Sequence, residues 1–466
     1  MTTSSTLAPR KADLPSVPLV PTGPRGVPLF GSLGAFARDP LAFVTRVARE
    51  HGDLARFQVA GTTIYLVSSP ALVQELLVGR HGSSIKDQIT RGLTRALGQG
   101  LLTSEGERWR RQRKRAAPSF SRADIAVYGD TMVESARTLA RRMGDGEVRD
   151  VHADMTGVTL EVVVRTLFDV ASVPDADRVG DTVSSLVESY RTAYVGWQRL
   201  LPDWVPTPSR RRFHRSVRDI DRVLAPILRD ARASGRRGSD LLSRLIAAVD
   251  EDGTGMSDTE LRDEIVTLFL AGHETTAIAL TAALYLLGEH PEVRARALAE
   301  IDEVLGGRPA RAADAPRLRY LDAVVREAMR VYPPAWILGR EATEDLELGG
   351  VTIERGAQLL VSQWVIHRDA RWFPEPERFR PERWLDGATE GLPRYAYMPF
   401  GGGPRVCIGN HFAMLEALLI LATILAEVEL EPVADTALRL WPAITLRPTH
   451  PVRMAVRRRD PVSRAA

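Results

Sequence analysis

The stretch between Ser257 and Pro291 constrains the fold more than any other part of the chain. Ser257 and Glu260 have the spacing of a capping box, in which hydroxyl and carboxylate each satisfy a backbone N–H at a helix start. Pro291 cannot continue a helix, because it lacks an N–H and its ring clashes with the preceding turn. The residues between them predict one helix of roughly 50 Å at about 1.5 Å per residue. A rod of that length crosses a whole domain, so the remaining chain has to pack around it. Its most apolar part, Ile265 to Leu287, approaches the length of a membrane span. However, Gly272, His273 and Glu274 lie near its middle, where a lipid-facing charge is costly. A buried core helix is the better reading.

Around that rod the apolar spacing is mostly helical from about Ala71 to Glu300, interrupted by proline and glycine at Leu201–Pro208 and Asp250–Gly255. Ala55–Val59 and Thr62–Ser68 predict two strands joined at Ala60-Gly61, a hairpin signal. A helix over Leu318–Tyr332 stops at Pro333-Pro334. Strand-like pieces follow at Leu346–Ile353 and Gln358–Ser362, and a last helix covers Ile408–Leu425. The expected architecture is a single domain over 29–455, mainly α with a small β portion (α+β). A flexible proline-rich leader (1–28) precedes it and a flexible tail (456–466) follows. With 44% hydrophobic and 26% charged residues the composition is globular, so disorder is not the default. A net charge of only +3 argues against nucleic-acid binding through the overall field. The leader carries no apolar run of signal or anchor length, so a cytoplasmic protein with no membrane anchor is expected.

The chain has one cysteine, which excludes intrachain disulfides and all-cysteine metal sites. Cys407 stands in Phe400-Gly401-Gly402-Gly403-Pro404-Arg405-Val406-Cys407-Ile408-Gly409, a glycine-rich loop just before a helix. Such a loop can aim backbone N–H groups at sulfur, and the helix N-terminus and Arg405 add positive potential. A lone cysteine is usually inert and buried; this context opposes that reading. Phe-x-x-Gly-x-Arg-x-Cys-x-Gly resembles the haem-binding pattern of the cytochrome P-450 family at every specified position. The resemblance implies the cytochrome P-450 fold, with the long helix over the haem, and haem b (iron protoporphyrin IX) as cofactor. It makes Cys407 the axial ligand of the iron, places Phe400 at the cofactor and pairs Arg405 with an acidic cofactor group. In that family thiolate donation favours O–O cleavage. His411 is formally a second metal ligand, but two ligands without partners make a poor site, and it reads as helix surface or packing.

Three further segments extend the resemblance. Ala271-Gly272-His273-Glu274-Thr275-Thr276 puts an acid beside an alcohol inside an apolar helix, where unpaired burial is expensive. From the residues alone, Thr275 can bond back to a carbonyl one turn earlier and Glu274 can reach solvent or an ion pair. The resemblance instead makes Glu274 and Thr275 catalytic, delivering protons during oxygen activation, with Ala271 and Gly272 flanking an oxygen pocket where the helix loosens. Glu327 and Arg330 share one helical face, a spacing that usually marks a weak surface ion pair. With Arg383, the resemblance makes them a buried Glu-Arg-Arg network supporting the cysteine loop. Six of the eight residues from Arg108 to Arg115 are basic, in themselves a solvated face. The resemblance assigns Trp109 and Arg113, with Arg340 and Arg405, to the haem propionates, and turns the outward arginines toward an acidic redox partner. Ala335, Trp336, Ile337, Ile444 and Thr445, with Ala271, match substrate-pocket positions, and several are equally plain core. Trp197 to Pro208 matches part of an access lid.

The implied activity is an iron-dependent oxidoreductase, a monooxygenase inserting one atom of O2 into a C–H or C=C bond of a hydrophobic small molecule. Hydroxylation of a terpenoid or similar secondary metabolite is favoured, a fatty acid second. The chain ends soon after the last helix and strands, so electrons are expected from a separate ferredoxin or flavodoxin with its reductase and NAD(P)H. Two rivals stand beside this reading. One is a peroxide-driven haem enzyme or haem isomerase on the same fold, against which the Glu274-Thr275 pair argues. The other is a non-enzymatic haem sensor or ligand-binding protein, which an apolar pocket with a relay threonine does not suit.

Overall fold

The computed structural model describes residues 21–168, 185–186, 189, 204–233, 240–250, 253–433 and 437–459. Five helices frame its interior: α1 (Gly106–Ala116), α2 (Val151–Phe168), α3 (Asp258–Glu289), α4 (Arg319–Val331) and α5 (Asn410–Glu427). The capping box at the head of α3 is formed. Ser257 Oγ accepts from the Glu260 N–H at 3.2 Å, and the Glu260 carboxylate accepts from the Ser257 N–H at 3.0 Å. The helix runs 32 residues and ends at the residue before His290-Pro291.

From Thr276 to Leu287 every residue of α3 is buried. A helix apolar all round must be covered on all sides, and here α2, α4 and α5 supply the cover. Val158 and Val162 of α2, Leu321 and Val324 of α4, and Leu419 and Leu421 of α5 join Leu280, Leu284 and Leu287 in one core. Each fully buried large apolar side chain there contributes about 1.5–3 kcal/mol. The first half of α3 has a second core of its own, where Leu261, Ile265 and Phe269 meet Phe213, Ile220 and Leu224. By length and composition α3 and α5 are apolar enough to cross a membrane, but most of each is packed inside this protein.

The strands form small sheets at the periphery. β1 (Leu54–Val59) and β2 (Thr62–Val67) make the expected hairpin. Ala60 and Gly61 have φ of +48° and +79°, the paired positive values that a tight type I′ turn demands. The main sheet has the order β1-β2-β8-β5-β3, using β3 (Ser84–Lys86), β5 (Leu338–Ala342) and β8 (Gln358–Val361). β2 and β8 run parallel, and the other pairs run antiparallel. β6 (Leu346–Leu348) and β7 (Val351–Ile353) make a hairpin, as do β10 (Leu440–Pro442) and β11 (Leu446–Pro448). β12 (Arg453–Arg458) pairs with β4 (Val148–Asp150) and β9 (Val428–Pro432).

Three expectations need correction. The leader is tied down before residue 28: the Thr22 carbonyl accepts from the Arg56 N–H at 3.0 Å, and Val27 bridges to Gly31. The C-terminal boundary expected at 455 falls inside β12, because Val456 and Arg458 pair with Leu430 and Val428. The helix over 271–276 is not loosened; α3 is continuous there, and the hydroxyls of Thr275 and Thr276 bond back within it. Residues 1–20, 197–203 and 460–466, which hold most of the expected leader, lid and tail, lie outside the described residues.

Ser257→Ala removes the cap of α3 and is expected to destabilise the protein by about 1 kcal/mol, whereas Ser257→Asp retains most of that stability. Denaturant midpoints of the two variants test this, and an unshifted midpoint for the alanine variant contradicts it.

Candidate active site

The cysteine loop is a backbone structure before it is a chemical one. The Cys407 N–H donates to the Phe400 carbonyl at 3.0 Å, closing the loop. Gly403 has φ +65°, and a Cβ there would collide with the Leu77 carbonyl. Only glycine passes that point. Arg113 Nη1 donates to the Val406 carbonyl at 2.8 Å, pinning the residue before the thiol. The surrounding apolar protein pushes the Cys407 thiol up, although its surface is exposed to the cavity, while the Gly409 N–H and the positive charge of Arg113 draw it down. Arg405, which the sequence reading placed among the thiolate's positive neighbours, is otherwise engaged. It pairs with Glu105, donates to the Ser104 carbonyl at 2.9 Å and stacks 4.1 Å over the Trp109 ring. The thiol is exposed on the cavity side, and a haem iron bound there would supply the drive to thiolate. Four residues on, His411 is exposed.

Cys407 opens into a largely apolar cavity of about 420 Å³. Ala271, Gly272, Glu274 and Thr275 of α3 line it, as do Phe400, Ala335, Ile444 and Thr445. Trp336 and Ile337 do not share that wall. They pack with Phe43, Phe57 and Leu446 in a separate apolar cluster, where the Trp336 indole donates to the Ala443 carbonyl at 2.9 Å. Gly272 lets α2 approach, since a Cβ there would stand 3.1 Å from Val163. Thr275 Oγ1 donates to the Ala271 carbonyl at 2.8 Å. Glu274 Oε1 accepts from Thr445 Oγ1 at 2.6 Å and from Arg447 Nε. Burial raises this carboxyl, but Arg447 and Thr445 outweigh it and hold it below the usual carboxylate range.

Behind the loop lies the charged network. Glu327 and Arg330 are completely buried. Glu327 accepts from Arg330 Nε and Nη2 (both 2.9 Å), Arg383 Nε (3.2 Å), Trp384 Nε1 (2.9 Å) and the Arg380 N–H (3.0 Å). Arg330 Nη1 continues to the carbonyls of His367 (2.8 Å) and Pro376 (2.7 Å). His367 Nε2 in turn accepts from the Met398 N–H at 3.0 Å, two residues before Phe400. Burial, then Arg330 and Arg368, push the His367 ring down to about 3, so it stays a neutral acceptor.

A second polar group is built from cations. β3 pairs with β5 so that Lys86 stands opposite Arg340. Arg340 is buried, and its guanidinium makes no hydrogen bond to a described residue. Burial, then Arg340 and Arg405, push Lys86 down to about 7 and lower His81 likewise. Glu105 and Asp87 are the acids acting on these cations. Two propionates arriving here would relieve the mutual repulsion, which is what a haem brings. His81 and Lys86 escaped the sequence reading because their neighbours come from a distant strand. Among the described residues no three His, Cys, Asp or Glu side chains form a metal cluster. An iron at Cys407 would take its remaining donors from a porphyrin, so the residues present fit a haem. On α1, Arg110, Arg111 and Lys114 are exposed, but Arg115 is turned inward to Asp250 and the Thr254 carbonyl.

The family model described as Cytochrome P-450 matches residues 21–451. Cyclooctatin synthase of Streptomyces melanosporofaciens is 40% identical over 92% of this chain and 94% of its own length. Cyclooctat-9-en-7-ol 5-monooxygenase of the same organism is 36% identical over 90% of this chain and 91% of its own. Pentalenene oxygenase of Streptomyces avermitilis is 34% identical over 94% and 96%.

Removing either member of the buried pair strands a charge, a loss of about 3–5 kcal/mol. Glu327→Ala and Arg330→Ala are each expected to abolish haem incorporation. Full haem content in either purified variant refutes a supporting role for the network.

Proposed function

The chain belongs to the cytochrome P-450 family, and on that premise we propose that it hydroxylates or epoxidises a hydrophobic terpenoid or similar secondary metabolite, with a fatty acid as the second choice. The observation that carries this reading is that Cys407, Glu274 and Thr275 open onto one apolar cavity. An apolar wall with few polar groups selects lipophilic molecules. The names of two relatives denote an alkene and an alkenol as substrates, in keeping with that choice.

The haem, when bound, supplies oxygen activation, and the protein supplies ligation, orientation and protons. In this proposal Cys407 would hold the haem iron, and Phe400 closes the loop beside it. Trp109, Arg113, Arg340 and Arg405 would hold the propionates, joined by His81 and Lys86, which share the cationic cluster. Glu327, Arg330 and Arg383 keep the loop in place. Ala271 and Gly272 leave room for O2 beside α3. Thr275 gives up its bond to the Ala271 carbonyl to pass a proton, which Glu274 replaces. Ala335, Ile444 and Thr445 face the substrate. Electrons come from a separate ferredoxin or flavodoxin with its reductase and NAD(P)H, docking by charge over Arg110, Arg111 and Lys114. We place the protein in the cytoplasm.

Thr275→Ala is expected to keep its haem and its O2 consumption while product per O2 falls by about tenfold or more. The same holoenzyme, screened with lipophilic compounds including pentalenene, should show a substrate-induced spin-state shift. Turnover with peroxide but none with NAD(P)H and redox partners reverses the choice in favour of a peroxide-driven enzyme. An absence of products across the panel revives a sensor.

A further inference from the structure

Glu274 is held from outside its own helix. Its Oε1 takes both the Thr445 hydroxyl and the Arg447 guanidinium, one at the end of the β10–β11 turn and one on β11. No described residue bonds its Oε2. That turn is itself fixed to the opposite cavity segment. The Trp336 indole donates to the Ala443 carbonyl at 2.9 Å, and the Leu446 N–H donates to the Pro334 carbonyl at 2.9 Å. A long guanidinium anchored on such a turn has little freedom to let the carboxylate drift. Arg447 is also partly enclosed, so its charge is weakly screened there.

We propose that Arg447 is a positioning residue for proton delivery: with Thr445 it fixes one oxygen of Glu274 and leaves the other to exchange protons at the cavity. The proposal rests on the reading of Glu274 as the acid that serves Thr275. The charged and titratable groups facing Glu274 are Arg447 from β11, His273 beside it on α3 and His152 from α2. Burial works against the ionised carboxylate, and Arg447 is its strongest counterweight. Without that arginine, burial meets less opposition and the carboxyl rises.

The test compares purified wild-type holoenzyme with Arg447→Leu, Arg447→Lys and Glu274→Gln. Infrared difference spectra against Glu274→Gln isolate the Glu274 carboxyl without any substrate. Wild type and Arg447→Lys should show carboxylate only across the neutral range, whereas Arg447→Leu should show a protonated carbonyl that grows as pH falls. O2 consumption driven by NADPH through a surrogate ferredoxin and reductase should slow about tenfold in Arg447→Leu. It should also gain a pH dependence and a larger solvent-deuterium isotope effect, with Arg447→Lys restoring both. Haem content should stay the same throughout, separating positioning from folding. A wild-type infrared band and rate in Arg447→Leu overturn the proposal. Wild-type rate and isotope effect in Glu274→Gln overturn the underlying reading of Glu274 instead.

Discussion

The chain that leads into the cysteine loop is tied to one buried carboxylate. Glu327 is charged in an interior that excludes water, so its negative charge must be answered by hydrogen bonds and opposite charge. It gathers Arg330, Arg383, the Trp384 indole and a backbone N–H from the 375–384 segment. Those partners belong to different parts of the chain, and meeting one carboxylate brings them into register. Arg330 then reaches the His367 carbonyl, and the His367 ring receives Met398, from which the chain runs straight into the cysteine loop. The position of the sulfur is thus inherited, bond by bond, from an ion pair on α4.

The cavity shows the opposite logic. Its walls are largely apolar, and the acid and the alcohol of α3 are each answered: Thr275 by a carbonyl of its own helix, Glu274 by Thr445 and Arg447. The cations around Arg340 have Glu105 and Asp87 as the acids acting on them. Burial and mutual repulsion lower Lys86 and His81 together, so a dianionic ligand bound there would be stabilising. One chain therefore holds a dense hydrogen-bonded ion network, an apolar cavity and a cationic cluster.

Local signals in the sequence served well where the physics is local. The Ala60-Gly61 turn, the Ser257–Glu260 cap and the stop at Pro291 each depend on neighbours within a few residues, and each appears as expected. The helix over Arg319–Val331 and its proline stop follow for the same reason. The short strands β3 and β5 carried no such signal, because their pairing joins residues far apart in the chain. The loosened helix at 271–276 was an expectation of resemblance, and the continuous α3 corrects it. Trp336 and Ile337 turned from pocket wall to core because their face of the chain is decided by what packs on β1 and β2.

By itself, the sequence determined the long core helix, the single thiol on its glycine path, and the pairing of Glu327 with Arg330 on one helical face. These follow from residue type and short spacing, which act through backbone geometry alone. The tertiary structure decided which charges meet. It gave Cys407 the company of Arg113 and sent Arg405 to Glu105. It set Lys86 opposite Arg340 and delivered Arg447 to Glu274. Electrostatic partners are chosen by distance in space, and in a chain of 466 residues that distance exists only after the strands and helices have packed.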